Sequence, residues 1–196
     1  MTVRSEAADG VVAGSKPGTP NAIRRLDWRF LLPDPSLGRV IYLGQAQSDL
    51  LTALRASAVA LTVADSAVPG QGATFDTAVL VNPSPHDLLM AAALLRPGGW
   101  LYAEVKGAPG AARRLARRLP QAGFAAVQQH WHWPDFVRCT RILPLADAGA
   151  LTFGLLKGRG GAQGRALALL VGGLARSGAL LWLARSISLV AQRAAP

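Results

Sequence analysis

The sequence contains little cysteine and begins without an apolar stretch. Its one cysteine, Cys139, excludes an internal disulfide and fits a reducing compartment. No matched base can be assigned to it, so we expect a small buried side chain rather than a nucleophile. Residues 1–20 lack the apolar core of a secretory signal and are rich in Gly, Ser, Ala and Pro, which predicts a flexible segment. We expect a cytoplasmic protein with one domain over residues 21–196.

Long apolar runs are missing as well. The run ALALLVGGLA at residues 166–175 ends at Arg176, and the next one, SGALLWLA, ends at Arg185. A helix that crosses a bilayer needs about 20 apolar residues. The sequence therefore predicts no transmembrane helix.

Several catalytic signatures are also absent. There is no Gly-x-x-x-x-Gly-Lys-Ser/Thr, no His-Glu-x-x-His and no Gly-x-Ser-x-Gly, which weighs against a P-loop ATPase, a zincin protease and an α/β-hydrolase. His130 and His132 alternate along a predicted strand, and no further His or Cys stands at a ligand spacing. We therefore predict no metal site.

Acidic residues are scarce and unevenly spread. There are 21 Lys and Arg against 11 Asp and Glu, a net charge of +10. Such an excess is compatible with anionic partners (phosphates, nucleic acid or an anionic membrane surface), although solubility alone is the simpler explanation. Aromatic residues are not interleaved with the basic runs, so nucleic acid is the weaker expectation. No acid follows Asp147, but six bases do: Lys157, Arg159, Arg165, Arg176, Arg185 and Arg193.

Short β-branched runs alternate with helical periods, which favours an α/β fold. The first helix is expected to begin at Ser48 as N-cap, and the next has Ser84 as N-cap, Pro85 at its first position and Asp87 at its third. Residues 134–150 are ambiguous between a second hairpin arm and a loop. Strands are predicted at residues 39–43, 59–65, 75–82, 100–105, 124–133 and 186–193, and two helices within residues 147–184.

This order of elements resembles the class I S-adenosylmethionine-dependent methyltransferase family over residues 38–145. The most specific stretch is FDTAVLVNPSPHDLLMAAALLRPGGWLYAEV, which includes the Leu-x-Pro-Gly-Gly turn. The resemblance implies a Rossmann-like fold with a mostly parallel sheet and helices on both faces. Residues 66–74 are too short for the usual third βα unit, which is therefore reduced here. A helical insertion (147–184) precedes the last strand.

The resemblance also implies S-adenosylmethionine as cofactor. The family's glycine-rich turn keeps Gly44, its later glycines correspond to Ala46 and Ser48, and Tyr42 stands in place of the usual acid. The candidate cofactor-binding residues of the turn are Gly44, Gln45 and Ala46. Gln45 and Gln47 could replace some hydrogen bonds of that acid, but not its charge. Asp65 ends the second predicted strand about 20 residues after Gly44, where an acid binds the ribose hydroxyls.

Asn82 ends a strand near the expected methyl group and is a further candidate cofactor-binding residue. His86, in the first turn of the following helix, is the candidate catalytic base for a hydroxyl acceptor. The tryptophans Trp131 and Trp133 could wall a substrate pocket or fill the core. The leading hypothesis is methyl transfer to a small-molecule or glycan-type acceptor.

Two other hypotheses remain open. One is an inactive methyltransferase-like scaffold or regulatory partner, which the altered turn favours. The other is a module that binds nucleic acid or contacts an anionic membrane peripherally through its arginines. Residues 147–184 are where we expect substrate specificity or a homodimer interface.

Overall fold

The computed structural model describes residues 24–64, 72–107, 109–156, 161–180 and 184–195. The predicted flexible segment at residues 1–20 and the predicted ribose ligand Asp65 lie outside these residues.

The described strands form one seven-stranded sheet. The strands are β1 (Arg39–Gly44), β2 (Ala60–Ala64), β3 (Phe75–Val81), β4 (Leu95–Lys106), β5 (Phe124–Trp133), β6 (Arg141–Pro144) and β7 (Ser186–Arg193). Their order in the sheet is β2-β1-β3-β4-β7-β5-β6. Strands β2, β1, β3 and β4 are parallel to one another. Strand β7 is antiparallel to both β4 and β5, so β5 runs in the same direction as β4. The sheet is mostly parallel, as predicted.

Five helices of the described chain accompany the sheet. They are α1 (Ser48–Ser57), α2 (Pro85–Leu94), α3 (Ala111–Arg118), α4 (Ala148–Leu156) and α5 (Gly161–Arg176), with short 3-10 helices at Asp27–Leu31 and Pro120–Ala122. Helices α4 and α5 stand between β6 and β7, which confirms the helical insertion before the last strand. Few residues separate β2 from β3, in agreement with a reduced third unit.

Two apolar cores lie on opposite faces of the sheet and confirm helices on both faces. Leu50 and Leu54 of α1 pack with Tyr42 of β1 and the N-terminal Trp28 on one face. On the other face, α2 and α3 pack against the inner residues of β1, β3, β4 and β7. A smaller third core holds the α4–α5 pair against β6 and contains Leu143, Leu151, Val171 and Leu180.

The two helices next to the predicted site begin differently. Helix α2 starts as predicted: the Ser84 side chain accepts a hydrogen bond from the Asp87 backbone, and the Asp87 carboxylate accepts one from the Ser84 backbone. Helix α1 does not, because Ser48 is its first helical residue and Gln47 is the N-cap, without a side-chain hydrogen bond. The prediction that Ser48 caps this helix is therefore wrong.

The segment that was ambiguous in sequence contains the second arm of a hairpin. Strand β6 pairs antiparallel with the end of β5, with Trp131 opposite Leu143. Trp131 packs partly buried against two of the cores. Trp133 meets it edge to face at 4.9 Å and is 41% exposed. Among the described residues, no helix has the length and apolar character needed to cross a membrane.

Candidate cofactor and acceptor site

The carboxyl ends of β1, β3 and β4 meet at one edge of the sheet, where parallel α/β sheets bind ligands. Gly44 is level with Val81 of β3, and Val81 is level with Glu104 of β4. The predicted residues Gly44, Gln45, Ala46 and Asn82 therefore lie along this edge.

Gly44 is required by the fold of the edge itself. Its φ is +93°, and a Cβ atom added there would lie 2.6 Å from the Val81 carbonyl oxygen. Any side chain would therefore force β1 and β3 apart. Beyond Gly44, Gln45 and Ala46 are exposed to solvent. The turn thus keeps the one glycine that strand packing needs and presents the next two residues outward.

Tyr42, which replaces the family's acid, points into the core on the α1 face and is fully buried. Its hydroxyl donates a hydrogen bond of 2.6 Å to the Gln45 carbonyl oxygen. Burial raises the pKa of Tyr42 to about 12, so the phenol is neutral at physiological pH. Tyr42 therefore stabilises the turn from the side of the core and supplies no charge to a ligand.

A buried arginine from the N-terminal segment lies behind this turn. Arg25 is 3% exposed and donates to both carboxylate oxygens of Glu104, at 2.7 and 3.1 Å. It also donates to Asp49 and to Gln47, each at 2.9 Å. Arg25 thus joins the start of α1 to the end of β4.

The protonation of Arg25 follows from these contacts. Burial alone lowers the pKa of Arg25, but the hydrogen bond and charge of Glu104, together with the charge of Asp49, raise it above its usual value. Glu104 is fully buried and also accepts a hydrogen bond from the Tyr102 hydroxyl at 3.2 Å. Trp28 stacks on the Tyr102 ring, with centroids 3.9 Å apart. The result is an ion pair shielded by aromatic rings, which is a structural rather than a reactive arrangement.

Phe136, in the loop after β5, packs against Arg25. The Phe136 side chain is 2% exposed, and two cations lie near its ring, the Arg25 guanidinium at 5.9 Å and the Lys106 ammonium at 5.5 Å from the ring centroid. Its carbonyl oxygen accepts a further hydrogen bond from Arg25 at 3.2 Å. The Arg25 cluster, which we define as Arg25, Glu104, Tyr102, Trp28 and Phe136, therefore fills the space beyond β4 on the α1 face.

The two histidines of β5 are buried. Nε2 of His132 lies 2.8 Å from the Ser188 hydroxyl, and burial lowers the pKa of His132 to about 3. Burial likewise lowers the pKa of His130 to about 4. Both imidazoles are neutral at physiological pH. Within the described ranges, no three His, Cys, Asp or Glu side chains are grouped as metal ligands.

Asn82 links the end of β3 to the end of β4 at the carboxyl edge of the sheet. Its φ of +48° lies in the left-handed region that Asn tolerates better than most residues. Its side-chain oxygen accepts a hydrogen bond from the Lys106 backbone at 2.7 Å, and its own N–H donates to the Glu104 carbonyl at 2.8 Å. Its side-chain NH₂ group is not used in these bonds. His86 lies exposed in the first turn of α2.

Cys139 is partly buried rather than fully buried as expected. Its Sγ donates a hydrogen bond of 3.3 Å to the Arg141 carbonyl oxygen. Burial raises the pKa of the thiol, which opposes formation of the nucleophilic thiolate.

Sequence reasoning missed the Arg25 cluster, although one signal was available. Glu104 interrupts the apolar stretch WLYAEV, and a charge within a buried strand requires a partner. The sequence offers 21 basic residues for that role, so the pattern does not single out Arg25.

No protein-family model matches the chain, and no curated protein matches it. Among solved structures, it is similar to phosphoethanolamine N-methyltransferase 2 from Haemonchus contortus, at 10% identity and a TM-score of 0.50, over 91% of this chain and 54% of that enzyme. The chain has a Rossmann-like methyltransferase fold. A SAM-dependent methyltransferase from Archaeoglobus fulgidus is 11% identical, with a TM-score of 0.49 over 88% and 94% of the two chains. One from Thermotoga maritima is 12% identical, with a TM-score of 0.45 over 88% and 89%.

Proposed function

We propose that the protein is an S-adenosylmethionine-dependent methyltransferase that acts on a small-molecule or glycan-type acceptor. The observation that carries this proposal is the turn between β1 and α1 at the carboxyl edge of a methyltransferase-like sheet. There, α1 begins without a side-chain cap beside the exposed residues Gln45 and Ala46. The first amides of an uncapped helix are hydrogen-bond donors that a ligand can use.

The residues present fit the cofactor in part. The backbone from Gly44 to Ala46 offers donors to the adenosyl and methionine groups, and Asp65, directly after the last residue of β2, is the candidate for the ribose hydroxyls. The buried phenol of Tyr42 cannot replace the acid that the family uses. We expect binding through backbone hydrogen bonds, and therefore weaker than with a complete motif.

When bound, the cofactor supplies a methyl group on a sulfonium, which is a good leaving group. The chain must then mainly hold the acceptor in line, and positioning alone can supply much of the rate. Asn82 has its NH₂ group available at the end of β3, and His86 is exposed in the first turn of α2. We assign to Asn82 the orientation of the acceptor, and to His86 the uptake of a proton from an acceptor hydroxyl.

Calorimetry with S-adenosylmethionine and S-adenosylhomocysteine tests the proposal. Ala46→Phe adds an aromatic ring to an exposed position at the mouth of the proposed site. Ala56→Phe, at an exposed position near the other end of α1, is the matched control. We expect binding heat with the unaltered protein and with Ala56→Phe, and its loss with Ala46→Phe and with Asp65→Ala.

The absence of heat at millimolar concentrations of both ligands would contradict the proposal. The chain would then be a methyltransferase-like scaffold. Equal binding by Ala46→Phe and Ala56→Phe would instead show that the cofactor does not bind at the turn between β1 and α1.

A further inference from the structure

The pair of helices α4 and α5, here called the tail hairpin, carries apolar side chains on its outer surface. Phe153 is 70% exposed, Leu169 77% and Leu170 59%. On the inner side, Leu151 is fully buried and Val171 is 8% exposed against β6. The hairpin therefore has apolar residues on both sides, although one side already suffices to attach it to the sheet.

Two of these exposed residues, Phe153 and Leu169, border a groove between the two helices, with a volume of about 420 Å³. Phe153 and Leu169 form its apolar sides, and Thr152, Gly172 and Arg176 also line it. A Cβ atom added at Gly172 would come no closer than 3.9 Å to any neighbouring atom, the nearest being the Arg176 guanidinium. The surface thus combines apolar side chains, a shallow recess and a cation.

The charge of this region has one sign. Residues 148–196 contain no Asp or Glu and six basic residues. The nearest acid before them, Asp147, caps α4: its Oδ1 accepts hydrogen bonds from the backbones of Gly149 and Ala150, at 2.8 and 2.9 Å. An occupant of the groove therefore meets the Arg176 guanidinium and no carboxylate from α4 or α5.

This charge distinguishes between the possible occupants. In a symmetric dimer the same patch faces itself, so that bases would oppose bases without any acid between them. A bilayer with anionic phospholipids offers phosphate and carboxylate groups to the bases and an acyl region to the apolar side chains. Helices with Phe and Leu on one face and Arg or Lys nearby bind at this boundary without crossing it.

We propose that the tail hairpin docks the protein peripherally onto an anionic membrane surface. Phe153, Leu169 and Leu170 enter the headgroup region, and Arg176 binds a lipid phosphate. This proposal is independent of methyl transfer, because it concerns a surface formed by α4 and α5 and not the turn between β1 and α1.

Vesicle co-sedimentation of the full chain tests the proposal. We expect the protein to pellet with vesicles of phosphatidylcholine and phosphatidylserine, less with phosphatidylcholine alone, and less at high salt. Phe153→Glu combined with Leu169→Glu should weaken binding by about ten-fold or more, because two apolar side chains no longer enter the bilayer. Arg176→Gln should weaken it by about five-fold.

The chain offers matched controls for both variants. Phe30→Glu combined with Leu89→Glu makes the same replacements at residues that are 64% and 61% exposed elsewhere on the surface. Arg113→Gln removes an exposed charge on α3. Circular dichroism establishes that each variant is folded, and the controls should bind as the unaltered protein does.

Three results would overturn the proposal. The first is equal sedimentation with neutral and anionic vesicles. The second is equal loss of binding in the tail-hairpin variant and its control. The third is a dimer detected by light scattering that Phe153→Glu with Leu169→Glu converts to a monomer, which would show that a second copy covers the hairpin.

Discussion

Two strand-to-helix turns lie side by side at the carboxyl edge of the sheet, and they are stabilised in opposite ways. The turn from β3 to α2 is stabilised by its own side chains. Asn82 accepts a hydrogen bond from the backbone of β4, and Ser84 and Asp87 form a capping box at the start of the helix. The turn from β1 to α1 has no such cap. Its polar side chains Gln47 and Asp49 bind a residue from elsewhere in the sequence, Arg25.

The difference shows how a turn can be rigid and still open. The side chains of Gln47 and Asp49 accept hydrogen bonds from Arg25 and do not cap α1. Arg25 therefore stabilises the turn on its buried side, and the backbone amides on the exposed side stay available to a ligand. The turn before α2 satisfies its own amides and has fewer donors to offer. If this view is correct, the turn before α1 should depend on distant residues, and the turn before α2 on adjacent ones.

The largest expected effect is that of Arg25→Met, which removes the distant support. The substitution leaves Glu104 fully buried without its cation, a change that typically costs about 3–5 kcal/mol of folding free energy. Urea unfolding measures this loss. Arg24→Met changes the exposed neighbouring residue and should cost little. Similar unfolding midpoints for the two variants would show that the Arg25 cluster does not support the turn.

A smaller effect is expected for Gly44→Ala, which tests the close approach of β1 and β3. Alanine at φ +93° is strained, and its Cβ would also lie 2.6 Å from the Val81 carbonyl oxygen. Gly107→Ala isolates the strain, because Gly107 has a φ of +103° and no atom within 4 Å of an added Cβ. Thermal unfolding should show a loss of about 1–3 kcal/mol from strain in both variants, and a further loss only in Gly44→Ala. Equal losses would contradict the packing role of Gly44.

Much of the fold could be predicted from the sequence because its signals are local. Ser84, Pro85 and Asp87 determine the start of α2 within four consecutive residues, and the predicted strand at 124–133 coincides with β5. The alternation of strands and helices then limits the sheet to a few topologies. The same local reasoning failed at α1, where a serine in a capping context is the first helical residue instead.

The candidate site was less predictable because its determinants are distant in sequence. Arg25 and Glu104 are 79 residues apart, and Phe136 is 111 residues from Arg25. No periodicity or motif links such residues. The positions along the edge, Gly44 to Ala46 and Asn82, could be placed from the topology of the sheet, whereas the direction of Tyr42 depends on the core that surrounds it.

The smallest expected effect compares the two helix starts directly. Ser84→Ala removes the capping box of α2 and should cost about 1 kcal/mol. Ser48→Ala makes the same replacement at the first residue of α1, where the serine does not cap and alanine has the higher helix propensity, so stability should stay unchanged or rise slightly. Urea unfolding of both variants measures the difference. A loss in Ser48→Ala as large as that in Ser84→Ala would mean that the serine does cap α1, and the turn between β1 and α1 would then be closed by its own side chains as the other turn is.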